Sequence, residues 1–393
     1  MSAAAHPRAI QLDDPTHALD ALLDTPPTVL ALGEPTHGIK EFPLLRNELL
    51  GHLVERGYRS VVLETDFFAA STVDDYVSGG PGDIDKVLAT GFSHSFGNVP
   101  GNRELVEWLR AHNADRAPED RVRFYGFDAP LETAAAPSPR HALTSVVDYL
   151  PETLRPELEA LLGDDADWTN PAAMYDPAAS IGNTDHARAL RVVADDLASA
   201  LRRLAPTLRP ADPIGYDHAA AHARTALGLL RYHAAMATPG PNRIATLLSL
   251  RAEMMADNLL DVLSREKDRG PSLVFAHNVH LQRTPSHMDV GPENASWASA
   301  GALVALTLGE RYLFVATDAN PRSEPGTLQA VLAGATTRRA LFPSEDLRAA
   351  LPASTRKGDP ILPGHLPLDP ADLAGADAVI FVADTDGQRH QYW

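Results

Sequence analysis

Residues 28–38 read Thr-Val-Leu-Ala-Leu-Gly-Glu-Pro-Thr-His-Gly. Apolar chain stops abruptly at a glycine-bounded turn that carries an acid, a proline and a histidine. A run of this kind, apolar on both faces, predicts an internal strand of a parallel sheet, with chemistry gathered at its C-terminal end. The pattern repeats outward along the chain. Residues 60–63 (SVVL) lead into Glu64-Thr65-Asp66, residues 122–127 (VRFYGF) into Asp128, and residues 272–276 (SLVFA) into His277-Asn278-Val279-His280. Residues 312–316 (YLFVA) and 378–382 (AVIFV) supply further strands. Helical spacing fills the gaps: residues 39–56 place Leu45, Leu49, Leu50 and Leu53 on one side with Gly57 as a C-cap, and residues 102–113 form a second helix. The fold class is therefore α/β, with a mostly parallel central sheet flanked by helices.

From residue 139 the texture changes to long Ala-, Leu- and Arg-rich stretches with 3.6-residue periodicity, which predicts a large helical insertion. Helices are expected over 185–204, 216–236 and 243–267, broken by Pro206, Pro210, Pro213, Pro239 and Pro241. Three segments follow: 1–138 as the N-terminal half of the core, 139–268 as an insertion or lid region, and 269–393 as the C-terminal half. Residues 320–370, rich in Pro, Gly and Ala, read as loops with short elements.

Composition narrows the function. Of 393 residues, 44% are hydrophobic and 22% charged, which suits a chain that buries a substantial core. A net charge of −18 with no cluster of Lys and Arg argues against nucleic acid as a partner. No cysteine is present, which excludes disulfides, thiolate zinc sites and a cysteine nucleophile. Neither a signal-peptide pattern nor an 18-residue apolar run occurs, so a cytoplasmic protein without membrane contact is expected, acting on a small molecule. Oligomeric state is not written in the sequence.

The strand ends hold the candidate chemistry. His37, with an ordinary pKa near ~6.5, suits a general base, and Glu34 three residues before it can orient the ring. Glu41 lies four residues after it. Spacing alone leaves a structural role for His37 open. Glu64 and Asp66 alternate onto the same side of a strand, and Asp66 is also placed to cap the next helix. Arg46, on the helix after the turn, is positioned to clamp a carboxylate or polarise a carbonyl, or else to lie solvated on the helix surface. His277 and His280 share a face only if the chain turns helical just after the strand. The chain lacks G-x-S-x-G, H-E-x-x-H, a Walker loop and G-x-G-x-x-G, which disfavours serine-esterase, zincin, nucleotide-driven and dehydrogenase chemistry.

Together the blocks resemble the erythromycin esterase family. Gly33-Glu34-Pro35-Thr36-His37-Gly38 with Glu41 and Arg46 is similar to its G-E-x-T-H-G opening. Leu63-Glu64, residues 102–110 (NRELVEWLR), Gly126-Phe127-Asp128, residues 251–258 (RAEMMADN) and residues 276–280 (AHNVH) follow in the family's order. The resemblance implies that His37 activates water for attack on a macrolactone ester, supported by Glu34, Arg46, Glu64, His277 and His280. Asp128, His94, Glu41 and Arg251 join His277 and His280 as expected substrate-binding positions. Two departures bear on the substrate. Ala252 stands where an acid usually follows the arginine, and residues 91–101 (GFSHSFGNVPG) carry His94 and Phe96 where relatives more often show tryptophan and acids.

The expected enzyme is an esterase-like hydrolase needing no cofactor, placed in antibiotic resistance or in natural-product biosynthesis. Three alternatives stand beside it: acyl transfer, elimination or cyclisation by the same base; a divalent metal held by His37, Glu64, His277 and His280; and a non-catalytic ligand-binding homologue.

Overall fold

The computed structural model describes residues 7–13, 15–23, 27–132, 136–290, 293–320 and 322–391. Eight strands form one sheet: β1 (Ile10–Gln11), β2 (Val29–Glu34), β3 (Ser60–Asp66), β4 (Arg123–Asp128), β5 (Ser272–His277), β8 (Tyr312–Asp318), β9 (Arg339–Pro343) and β10 (Ala378–Val382). A separate pair, β6 (Ser286–Val290) and β7 (Glu293–Trp297), makes a two-stranded sheet. Across the large sheet the order is β1-β9-β10-β8-β2-β5-β3-β4. The run from β10 through β8, β2 and β5 to β3 is parallel, while β9 is antiparallel to both β10 and β1. Parallel strands end on one edge of the sheet, so the polar residues that follow β2, β3 and β5 come to the same edge.

The residues of β2, β5 and β10 are buried throughout, as the unbroken apolar runs require. Helix α1 (Glu41–Glu55) follows β2 and buries Leu45, Leu49, Leu50 and Leu53 in the same core as Leu30, Leu32, Val61 and Leu63. Helix α2 (Asn102–Asn113) adds Leu105, Val106 and Leu109. At roughly 25 cal/mol per Å² of apolar surface removed from water, each such leucine contributes on the order of 2 kcal/mol.

By compactness the chain divides into two units: residues 1–127 with 259–286 and 298–393, and residues 128–258 with 287–297. The second unit is mainly helical. Helices α3 (Arg140–Tyr149), α4 (Asp185–Ala211) and α5 (Pro213–Met236) bury Leu143, Val146, Leu190, Leu197, Leu201, Ala226 and Leu230 in one cluster. Helix α6 (Arg243–Glu266) gives its residues up to 258 to this unit and its last turns to the first.

One expectation needs correction. Helix α4 does not break at Pro206 but runs through Pro206 and Pro210 to Ala211. Each proline removes one backbone donor, yet Leu204 and Leu208 beside them pack on the buried cluster and hold the last turns helical. The segment 320–370 holds short elements between its loops, as expected: β9 and the helices Leu328–Ala333 and Ser344–Ala350.

Candidate active site

The turn after β2 depends on two glycines. A Cβ on Gly33 would lie 1.9 Å from Asn278 Oδ1, because the Asn278 side chain crosses β2 there to reach β8. That side chain accepts from Thr317 N and donates to Thr317 O at 2.8 Å, while the Thr317 hydroxyl donates to Gly33 O. Gly38 closes the turn at φ 86°, a conformation that side chains disfavour.

Within this turn His37 Nδ1 lies 2.8 Å from Glu34 Oε1. Glu34 is 6% exposed and sits opposite His277 in the β2–β5 register. Burial pushes its carboxyl above the usual range, and the hydrogen bond and charge of His37 oppose that shift. With Nδ1 donating to Glu34, the remaining nitrogen, Nε2, carries the lone pair. The His37 side chain keeps 26% of its surface exposed, so that lone pair has access to a substrate.

Glu64 lies between three histidines. Its Oε2 accepts the His277 backbone N–H at 2.8 Å, and its Oε1 is 3.2 Å from His280 Nε2 and 3.9 Å from His37 Nε2. The neighbouring Asp66 does something different: its Oδ1 accepts from Phe68 N and Ala69 N and shapes the chain entering the next helix. One turn of helix, α7 (Asn278–Leu281), follows β5 and brings His277 and His280 to the same side. His277 is tied to backbone at both nitrogens, donating from Nε2 to Pro35 O at 3.0 Å and accepting at Nδ1 from Val279 N. Burial, reinforced by His37 nearby, pushes its pKa down to about 3, so the ring is neutral.

Arg46 is 1% exposed, and no carboxylate among the described residues is paired with it at ion-pair distance. It donates to Asn102 Oδ1, Asn47 Oδ1 and Gly101 O, and it stands 4.9 Å from the centre of the Phe275 ring. Burial lowers its pKa to about 9, against the pull of Glu34 and Glu104, which leaves it cationic at neutral pH. Four of the five guanidinium N–H groups are used by these bonds.

Glu34, His37, Arg46, Glu64 and Asn102 line a cavity of about 30 Å³, with walls that include Phe92, Phe96, Val99, Phe275, Leu63 and Pro43. That is room for about one water or one carbonyl group, not for a macrocycle. The apolar walls keep the local dielectric low, which strengthens the field of Arg46. Among the described residues no group of three or more His, Asp and Glu side chains is arranged to hold a metal ion.

The structure thus brings together His37, Glu34, Glu64, Arg46, His277 and His280. It places the other candidates elsewhere. Glu41 is buried in the first turn of α1 and is not part of the cavity wall. His94 touches Phe96, whose ring lies 4.8 Å from that of His37. Asp128 and Arg251 belong to the second unit and pair with each other through two hydrogen bonds, of 3.0 and 2.6 Å. Sequence reasoning passed over Asn102 and Phe275 as site residues, and marked Phe96 as a departure from the family that bears on the substrate. Asn102 opens α2 directly after Gly101, and that position is the one signal that was available.

Comparison with known proteins bears on the family and the fold. A sequence model of the erythromycin esterase family matches residues 53–355, starting after the Glu34–His37 turn and including Glu64, His277 and His280. Erythromycin esterase type II of Escherichia coli is 26% identical over 298 residues. The match covers 72% of this chain but 65% of that protein, just under two thirds of its length. A point mutant of erythromycin esterase EreC in its open conformation superposes with a TM-score of 0.69 at 19% identity, covering 98% of each chain. A Bacillus cereus protein of known crystal structure gives 0.69 at 17% identity, covering 96% of this chain and 95% of its own. No helix among the described residues is long and apolar enough to cross a membrane.

Proposed function

The chain belongs to the erythromycin esterase family, and from the geometry of its site we propose that it hydrolyses an ester or lactone of a macrolide-type natural product with His37 as general base. The observation that carries this reading is the pair His37 and Glu34, joined at 2.8 Å through Nδ1, on the wall of the cavity.

The steps balance without a covalent intermediate. His37 Nε2 takes a proton from water as its oxygen attacks the carbonyl carbon, giving a tetrahedral oxyanion and an imidazolium. Glu34 holds the imidazolium through Nδ1–H. Arg46, a buried cation lacking a carboxylate partner, stabilises the developing negative charge. As the ester C–O bond breaks, the alkoxide leaving group takes the proton from Nε2. Glu64 holds His280 and the His277 backbone in place. The cavity volume fits the attacked carbonyl group, so the remainder of the substrate stays outside it.

The test is turnover of a 14-membered macrolide lactone in H₂¹⁸O, with and without a chelator. Label in the new carboxylate, retained under chelation and lost in His37→Asn, is the expected result. Product without label would replace hydrolysis by elimination or transfer from the same base. Loss of turnover on chelation would favour the metal reading over the metal-free one.

A further inference from the structure

The His37 turn is held from outside by chain that lies more than 300 residues away. After β10 the last described residues fold into two short polar turns, with Gly387 N bonded to Thr385 Oγ1 and Gln388 N to Asp386 Oδ1. They then meet the base-bearing turn at successive points. Arg389 Nη2 donates to Thr36 Oγ1 at 2.9 Å and to Pro363 O at 2.6 Å. The His390 N–H donates to Gly38 O at 2.9 Å, and Asp386 lies 3.8 Å from Lys40 Nζ. Next to them, Leu366 N donates to Pro35 O at 2.9 Å, the same carbonyl that accepts from His277. Thr36 is 1% exposed, and its hydroxyl passes the contact on to His37 O at 3.4 Å.

We propose that Arg389 is a positioning residue for His37, acting through Thr36 as the centre of a C-terminal strap over residues 35–38. Pro35, Thr36 and Gly38, the residues on either side of His37, each have an external anchor. The His37 backbone is therefore fixed, and its ring meets Glu34 through Nδ1 and Glu64 at 3.9 Å from Nε2. Such anchoring sets the orientation in which Nε2 meets a water, where an error near 1 Å costs on the order of 100-fold in rate. Both bonds leave a single nitrogen, Nη2, and a lysine at 389, one atom shorter, matches its charge but not its reach. The inference rests on His37 being the base, yet its structural content can be read without any substrate.

The experiment therefore has two readouts on the full-length protein. The first is the ¹⁵N spectrum of the His37 imidazole. Wild type is expected to show one tautomer, protonated at Nδ1, and Arg389→Ala an average of two. The second is lactone hydrolysis, in which Arg389→Ala lowers kcat on the order of 10- to 100-fold with KM changed less than about twofold, and Arg389→Lys recovers part of the loss. Arg338→Ala, which removes an exposed pair with Asp13, leaves both readouts at wild type. If Arg389→Ala does not fold, Thr36→Val probes the same contact from the other side. An Arg389→Ala or Thr36→Val protein with an unchanged His37 tautomer overturns the proposal. If wild type hydrolyses no lactone while the tautomer responds to Arg389, the strap stands and the reaction assignment falls.

Discussion

Two neighbouring strands of the sheet end in an acid with a histidine, and they use the pair in opposite ways. At the end of β2, Glu34 holds His37 through one ring nitrogen, both line the cavity, and Glu34 Oε2 is buried without a partner. At the end of β8, Asp318 and His365 are both fully buried and every polar atom is used. Asp318 Oδ1 accepts from Ala319 N and His365 Nε2, and its Oδ2 accepts from Gln329 Nε2 and Leu368 N. His365 Nδ1 accepts from Ile361 N. The residue pair is therefore not what marks the site. Unused hydrogen-bonding capacity beside a cavity and a buried cation marks it.

The widest test of that contrast exchanges the two histidines' fates. His37→Asn is expected to lower kcat by about 10²- to 10⁴-fold, the usual worth of a general base, with the unfolding midpoint unchanged. His365→Asn is expected to do the reverse. It strands a buried carboxylate, which costs about 3 kcal/mol, and leaves turnover per folded molecule near wild type. Urea melts and active-site-normalised rates on both variants decide it. Loss of turnover in folded His365→Asn would mean that the saturated pair also serves the reaction.

The acids give a smaller contrast. Glu34→Gln keeps the shape but removes the charge behind the imidazolium, and kcat should fall on the order of 10- to 100-fold, less than for His37→Asn. Asp318→Asn should cost about 2 kcal/mol of stability, because an amide cannot accept four hydrogen bonds, with kcat unchanged. A Glu34→Gln enzyme at full rate would remove Glu34 from the mechanism.

Only part of this contrast is legible in the sequence. Glu34 and His37 are three apart after an apolar run, so strand and turn place them together whatever the rest of the fold does. His277 and His280 are equally local. By contrast, His365 meets Asp318 across 47 residues with no motif between them, and Arg389 meets Thr36 across 353. Neither contact follows from any short-range periodicity. Strand β9 escaped for a related reason: Arg339–Pro343 has one central apolar stretch and gains its stability from antiparallel pairing with β10, a partner almost 40 residues further on. Helix α4 shows the opposite failure, since a local rule about proline gave way to tertiary packing of Leu204 and Leu208.

His277 extends the comparison, because it stands in the poised site yet resembles His365 in having both nitrogens occupied. Its pKa falls from the ordinary 6.5 to about 3 on burial, so the folded state disfavours its protonation. The stability this brings is fully present above pH 6.5 and is lost as the pH falls from there towards 3. Over that window it contributes a slope of up to about 1.4 kcal/mol per pH unit, one proton's worth. His277→Asn is expected to be less stable at pH 7 but to lose stability less steeply on acidification. Denaturant midpoints at pH 7, 6, 5 and 4 measure the slope, and parallel curves for variant and wild type would mean that His277 is not held neutral.

The smallest effect concerns strain, which also separates the two strand ends. Among the described residues, the non-glycine residues at positive φ are His94 at 54° and Ser95 at 58°, and both lead into Phe96, the wall against His37. Left-handed backbone costs a side-chain-bearing residue roughly 1 kcal/mol or more, part of which glycine returns as extra disorder in the unfolded chain. Ser95→Gly should therefore stabilise the protein by about 0.5 kcal/mol while loosening the Phe96 wall, with kcat/KM falling a few-fold. A more stable enzyme with unchanged kcat/KM would show that the strained loop sets the shape of the cavity without contributing to the orientation of His37.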